Sequence, residues 1–382
     1  MHKTYKTGSY VRQIGGYSAF EPSPLPPHPP LEIGTAMHAL LSKADRALGR
    51  LDGSISSLPN PDLFVLMYVR KEAVLSSQIE GTQASLTDVL EAEARVIRHK
   101  APQDVDEVLN YVSAMRYGLA KLDELPLSAR LIKEIHAKLM TGVRGDNLQP
   151  GEIRTVQNWI GAEGASLAQA TFVPPPPQKV AETLHQLEIF LNTDSDLPAL
   201  IRFGLAHAQF ETIHPFLDGN GRMGRLLVTF LLCRDEILSQ PVLYISHYLK
   251  RHRARYYDLL QSTREDGDWE NWLSFFLTGI FEVSNEAAAT ARSIVELRER
   301  HREFITDTFG RAAGNGLKLL EHLFRTPVTT VHLVSGLLNI TYAGAANLVN
   351  KLEEAGLLNE LTGQARNRVF RYEPYVALFS ES

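Results

Sequence analysis

His214-Pro215-Phe216-Leu217-Asp218-Gly219-Asn220-Gly221-Arg222-Met223-Gly224-Arg225 places a base, a carboxylate, two glycines around an asparagine and two arginines within twelve residues. Pro215 biases His214 away from helical geometry, so a helix ends there. The residues before it, Leu197 to Phe210, are Ala- and Leu-rich with helical spacing, and a second helix starts at about Gly221 (Arg222, Met223, Gly224, Arg225, Leu226, Leu227, Val228). Gly219-x-Gly221-x-x-Gly224 fits a dinucleotide fingerprint, but that fingerprint needs a strand in front of it, so a doubly wound sheet is excluded by context. Gly219 and Gly221 let the backbone turn tightly and bring N–H groups close to an anion. The positive N-terminal end of the second helix faces the same point, which makes a phosphate site. Arg222 and Arg225, three apart on one helix face, both reach a polyphosphate. Asp218 is a hard oxygen ligand for Mg²⁺ held against those phosphates. His214 is the group able to take a proton from a hydroxyl near neutral pH.

Composition frames that site. The 382 residues are enough for a large core and two or three domains, and 44% hydrophobic with 22% charged residues is ordinary for a soluble globular protein. A net charge of −5 gives no global case for nucleic-acid or membrane binding. The one cysteine, Cys233, lies in an apolar run and reads as buried and inert. With no internal disulfide available, a reducing cytoplasm is the expected location. Met1-His2-Lys3-Thr4-Tyr5-Lys6 has no apolar stretch behind it, so no secretory signal is expected, and no window approaches the ~18 apolar residues of a membrane helix.

Working outward toward the N-terminus, residues 1–34 are Tyr-, Gly- and Pro-rich and end in Pro24-Leu25-Pro26-Pro27-His28-Pro29-Pro30, which reads as an extended strap. Helical periodicity runs from Ile33 to Gly49, and a loop covers Gly53 to Pro59. Asn60, Pro61 and Asp62 open a second helix that runs to Ser76-Ser77-Gln78-Ile79-Glu80 and stops at Gly81. Glu80, in the last turn, opposes the helix dipole, and on its own it reads as a solvated glutamate. Further helices are expected at 84–98, 104–121 and 128–140, with a polar break at Lys100 to Asp106. His136 shares a face with Leu131, Ile132, Ile135 and Leu139 and reads as a core histidine, not a ligand. Ile153–Trp159 and Leu167–Val173 are short β-compatible runs around a turn-prone Gly161 to Ser166, which predicts a β-hairpin closed by Pro174 to Pro177. Helices at 178–192 and 197–212 lead to His214.

Beyond the signature helix (about 221–235), Lys250, Arg251, Arg253 and Arg255 with Tyr256 and Tyr257 form a basic and aromatic cluster, either a solvated face or part of a nucleotide pocket. An aromatic helix, Trp269 to Phe281, and a long charged helix, about 284–305, follow, and 311–315 reads as a linker. The remainder reads as helices 316–325, 328–337 and 342–355, then strands Leu357–Leu361 and Arg368–Tyr372 around Thr362-Gly363-Gln364. That order resembles a winged helix-turn-helix domain, with Tyr342–Glu354 as recognition helix. Ala312 to Ser382 holds six Lys/Arg and six Asp/Glu, a net charge of 6 − 6 = 0, so docking or dimerisation fits better than DNA, although Arg366, Arg368 and Arg371 give local positive charge.

The 214–225 stretch resembles the signature of the Fic family, His-x-Phe-x-(Asp/Glu)-Gly-Asn-Gly-Arg-x-x-Arg, with every fixed position matched. Ser76-x-x-x-Glu80-Gly81 resembles the inhibitory-helix pattern of the same family, (Ser/Thr)-x-x-x-Glu-(Gly/Asn), placed N-terminal to the signature as in the intramolecularly inhibited class. The resemblance implies a mainly α fold: a Fic-type helical core with a β-hairpin flap, plus a C-terminal winged helix-turn-helix domain. It divides the chain into a strap and helical cap with the inhibitory helix (1–100, helix about 60–81), a catalytic core (101–310) and a winged helix (311–382). It further implies a protein adenylyltransferase that moves AMP from ATP to a Tyr, Ser or Thr hydroxyl of a protein, the chain's own hydroxyls included. His214 is then the catalytic base, Asp218 the Mg²⁺ ligand, and Gly219, Asn220, Gly221, Arg222, Arg225 and Tyr257 the ATP-binding set. Ser76, Glu80 and Gly81 form the inhibitory element, with Glu80 pairing to Arg225 so that Arg225 cannot grip the ATP γ-phosphate. The hairpin flap is implied to hold the target as an added strand. Family members often self-associate, which implies a homodimer.

Two other readings stay open at this point. Relatives run the same residues as a kinase, a uridylyl or phosphocholine transferase, or remove AMP. Outside enzymology the chain is a winged-helix DNA-binding regulator with a vestigial core, against which stand the intact His214, Asp218, Asn220, Arg222 and Arg225.

Overall fold

A computed structural model describes residues 5–56, 61–94, 104–161 and 164–380 of the chain. The expected Asn60 cap, residues 95–103 and the Ala162–Glu163 turn tip lie outside the described residues. In order, the elements are β1 (Gly8–Arg12), β2 (Ser18–Pro22), α1 (Thr35–Ser56), α2 (Pro61–Ile79), α3 (Leu86–Glu93), α4 (Val105–Leu122), α5 (Ala129–Leu139), α6 (Pro177–Asn192), α7 (Ala199–Ile213) and α8 (Asn220–Arg234). They continue with α9 (Ser246–Arg251), α10 (Arg253–Glu265), α11 (Trp269–Thr308), α12 (Ala313–Arg325), β3 (Val328–Thr330), α13 (Val331–Leu338), α14 (Tyr342–Glu354), β4 (Asn359–Glu360) and β5 (Val369–Arg371). The chain is mainly helical, as its periodicity predicts. No helix among the described residues is long and apolar enough to cross a membrane.

α7 and α8 are the centre. Every residue from Phe203 to Ile213 and from Arg222 to Leu232 is buried, the pattern of helices surrounded by other helices. α1 buries Met37, Leu41, Ala44, Leu48, Leu51 and Ile55, a stripe at three- and four-residue spacing, along α11. α11 is one helix of 40 residues where the sequence suggests two. No proline interrupts it, and Gly279 is used for close approach: a methyl there would come within 2.6 Å of the Tyr248 ring.

Two further expectations are corrected. The 153–173 segment is not a hairpin of two strands; Ile160 and Phe172 form a single antiparallel bridge, and Leu167–Gln169 is a turn of 3-10 helix. Main-chain groups that a flap strand would use are spent elsewhere: Arg154 N donates to Pro215 O (3.0 Å) and Val173 O accepts from Phe20 N (2.9 Å). The latter bond comes from a real hairpin in the N-terminal strap, where β1 and β2 pair antiparallel from Gly8↔Pro22 to Arg12↔Ser18. Residues 311–315 are not a linker either, since Gly310–Ala312 is one 3-10 turn running straight into α12.

Toward the C-terminus α12, α13 and α14 are followed by β4 and β5, and β3 joins them in a sheet of order β3-β5-β4, all antiparallel. They pack on α2. The Phe64 and Phe324 rings meet edge-on at 5.3 Å, Tyr68 and Phe379 at 5.2 Å, and Arg70 Nη1 donates to Arg325 O (3.1 Å).

Candidate active site

His214 ends α7 in a left-handed conformation (φ 49°, ψ 60°), its amide still bonded to Phe210 O (2.9 Å). Non-glycine residues adopt that region uncommonly, Asn, Asp and His more often than the rest, and here His214 is held in it by its neighbours. Those neighbours are Arg154, whose Nε donates to His214 O (2.9 Å), and Asn158, whose Nδ2 donates to Phe216 O (2.9 Å). The loop is closed by Asn220: Phe216 N donates to its Oδ1 (2.9 Å) and its Nδ2 donates to Phe216 O (2.8 Å). The Asn220 side chain is therefore committed to the loop, and what it offers a ligand is its main-chain amide. Asn220→Ala would bury an unpaired Phe216 N–H, so the melting temperature should fall by an amount equivalent to about 1–3 kcal/mol. Gly219 has φ 75°, and a methyl on it would come within 2.7 Å of Met140 Sδ.

The His214 imidazole is held neutral. Burial first, then the Arg264 and Arg154 cations, lower its pKa to about 4. Its Nδ1 faces Glu211 O at 3.4 Å, so that nitrogen carries the hydrogen and Nε2 keeps its lone pair.

Arg225, 1% exposed, lies below the loop, and α2 meets it there. Its Nη2 donates to Glu80 Oε1 (2.6 Å) and to Ser76 O (3.0 Å), and its Nε donates to Ser76 Oγ (2.8 Å). Burial alone would raise the Glu80 pKa, but Arg225 outweighs burial and the net shift is downward. The pair is therefore ionised at neutral pH and opens only as pH falls below the usual carboxylate range. A methyl on Gly221 would overlap Glu80 Oε1, so the carboxylate sits against the first turn of α8, where a helix N-terminus receives anions. Gly81, at φ 98°, turns the chain away immediately afterwards.

Residues 38–120 match the family described as Fic/DOC family N-terminal, and residues 126–232 match the Fic/DOC family. The chain belongs to the Fic/DOC family. Among curated proteins it is 31% identical over 244 residues to "Protein adenylyltransferase Fic" of Drosophila willistoni, covering 60% of this chain and 45% of that one. It is 34% identical over 224 residues to the Culex quinquefasciatus protein of the same name, covering 55% and 41%. The chain thus spans less than half the length of these relatives. A Fic family protein from Desulfovibrio desulfuricans G20 shares the fold with TM-score 0.59 at 20% identity, over 90% of this chain and 98% of that one. Fic-1 from C. elegans shares it with TM-score 0.51 at 23% identity, over 69% and 74%.

The rest of the Fic site is built from residues that its signature does not include. Arg222, 1% exposed, donates from Nη1 to Glu107 Oε2 (3.2 Å), which also accepts from Thr82 Oγ1 (3.3 Å), one residue past Gly81. Arg222 Nη2 is 4.0 Å from Asp218 Oδ1, and that oxygen accepts from Gly219 N (2.6 Å). His136 confirms its core reading: Gly151 N donates to its Nδ1 (2.9 Å), so its Nε2 carries the hydrogen and donates to Asp218 O (2.9 Å). It stacks flat on Phe216 at 3.7 Å, and burial lowers its pKa to about 4.

The basic cluster is largely paired, with Arg251 Nη2 on Glu282 (2.6 Å) and Lys250 Nζ on Gln78 (2.8 Å). Tyr256 is inside, its hydroxyl 2.9 Å from His207 Nε2, whereas Tyr257 is 39% exposed beside Arg253 on the rim. Burial pushes the Cys233 thiol up to about 12, so it is inert. Glu107, Arg154 and Arg264 are the residues that sequence reasoning missed. Glu107 looks like an ordinary acidic first-turn residue of α4, and only tertiary packing brings it under Arg222.

Proposed function

We propose that this chain transfers AMP from ATP to a Tyr, Ser or Thr hydroxyl of a protein, and that Glu80 holds the reaction off. The observation that carries the reading is the ionised Glu80–Arg225 pair set against the amides of α8, directly below a neutral His214. His214 Nε2 takes the proton of the incoming hydroxyl as its oxygen attacks the α-phosphorus, and pyrophosphate leaves in line. The amides around Gly219, Asn220 and Gly221 face the phosphates, and Arg222 and Arg225 take up the charge of the leaving pyrophosphate. Asp218, one carboxylate at the loop with 34% of its side chain exposed, suits Mg²⁺ that arrives on ATP; the ion supplies neutralisation of phosphate charge. No group of three or more His, Cys, Asp or Glu among the described residues forms a site for a metal without ATP. Tyr257 on the rim serves the adenine. With the 153–173 segment joined by one bridge, the target adds its strand to a loop rather than to a preformed sheet.

The name "Protein adenylyltransferase Fic" carried by the curated relatives supports AMP transfer over the kinase and vestigial-core readings. The test is labelling by the Glu80→Gly variant with α-³²P ATP and, in parallel, γ-³²P ATP. Label from the α-phosphate alone is expected. Label from γ alone identifies a kinase, and none from either points to a regulator without chemistry.

A further inference from the structure

Arg154 is a fully buried cation whose partners among the described residues are all main-chain carbonyls. Nε donates to His214 O (2.9 Å), Nη2 to Pro175 O (2.5 Å) and Ile213 O (3.4 Å), and Nη1 to Val156 O (3.4 Å). Its main-chain N donates to Pro215 O (3.0 Å). A buried charge without a counter-charge is costly, and only well-aimed dipoles hold it in place. The dipoles come from two places. Ile213 and His214 supply the C-terminal carbonyls of α7, the negative end of that helix. Val156 and Pro175 bracket the 156–175 loop, the segment beside the site. One planar guanidinium therefore ties the end of α7 to both ends of that loop, a geometry that Lys, a single-point donor, cannot reproduce.

We propose that Arg154 is a positioning residue for the transfer reaction: it locks His214 in its left-handed conformation and sets the distance between this base and the 156–175 loop, so that base and incoming hydroxyl meet in register. This rests on the reading of His214 as the base. It also makes Arg154 part of the charge around the imidazole. The groups that face His214 are Glu211 on its own helix, Arg264 on α10, Arg154, and Glu80 in the turn just after α2, and both arginines favour the neutral ring. Removing the Arg154 charge therefore raises the His214 pKa, and the acid limb of the rate profile moves to higher pH.

The test uses Arg154→Ala and Arg154→Lys in the chain carrying Glu80→Gly, so that the latch masks nothing. For Arg154→Ala, kcat should fall about 100-fold, the cost of a misplacement of about 1 Å, with KM for ATP unchanged. Its acid limb should shift upward, and added guanidinium ion should restore part of kcat. Arg154→Lys keeps the charge and should lose kcat without the shift of the limb. Unchanged kcat in a folded Arg154→Ala overturns the proposal, as does a joint loss of kcat and ATP affinity with no shift and no rescue. If Arg154→Ala does not fold, full kcat in Arg154→Lys overturns it. Activity surviving in His214→Ala separates the two claims, because it removes the base reading itself whatever Arg154 does.

Discussion

Replacing Glu80 by glycine should raise target labelling by roughly 10- to 100-fold, the factor that corresponds to about 1.5–3 kcal/mol for a hydrogen bond to a charged group. The reason is local. Arg225 has its Nη2 on Glu80 Oε1 and its Nε on Ser76, and the Glu80 carboxylate covers the first turn of α8. Taking the carboxylate away frees both the guanidinium and the helix amides for a phosphate. The same substitution leaves Arg225, 1% exposed, without its counter-charge. Removal of one partner of a buried pair costs on the order of 3–5 kcal/mol, so the unliganded variant should melt earlier and recover on addition of ATP. Thermal melts with and without ATP, run beside the labelling assay, check both halves. Unaltered labelling in Glu80→Gly would remove the latch and leave the transfer chemistry standing.

His214→Ala should abolish labelling in the Glu80→Gly background, with a fall of about 10²- to 10⁴-fold, the usual worth of a positioned general base. ATP affinity should persist, since the imidazole is not among the groups assigned to the phosphates. The pH profile carries further information. A base acts only when neutral, so the acid limb follows its pKa. Burial, Arg264 and Arg154 bring His214 to about 4, and the unpaired enzyme should remain active well below the ordinary histidine range near 6.5. A limb at or above the ordinary value, or full labelling in His214→Ala, would contradict this role.

Much of this arrangement is legible in the sequence because it is local. The turn at His214-Pro215, the glycines of the loop and the helix behind it are all set by residues within a few positions of one another. The Ser76, Glu80 and Gly81 element is legible only through its resemblance to a family pattern; read alone, Glu80 is an ordinary glutamate at a helix end. What the sequence does not disclose is non-local. Glu107 lies under Arg222, and Arg154 collects carbonyls from α7 and the neighbouring loop, because helices far apart in sequence pack together. The β-compatible run at Ile153 to Trp159 misleads for the same reason. Its apolar residues suit a strand, but Arg154 and Asn158 turn inward to bind the 213–216 carbonyls, and that consumes the regular pattern. The Pro24 to Pro30 run reads as extended chain, but nothing in the sequence ahead of it announces the β1–β2 hairpin, whose Phe20 meets Phe172. α11 continues past the point where the aromatic stretch ends because no residue there stops it.

Glu80 and ATP should compete for Arg225. Isothermal titration of a non-hydrolysable ATP analogue into the unaltered chain, Glu80→Gly, Arg225→Ala and the double variant measures that competition. Glu80→Gly should bind at least about ten-fold more tightly, about 1.4 kcal/mol, and the gain should vanish in the double variant. Equal affinities with and without Glu80, or a gain that persists when Arg225 is absent, would contradict it.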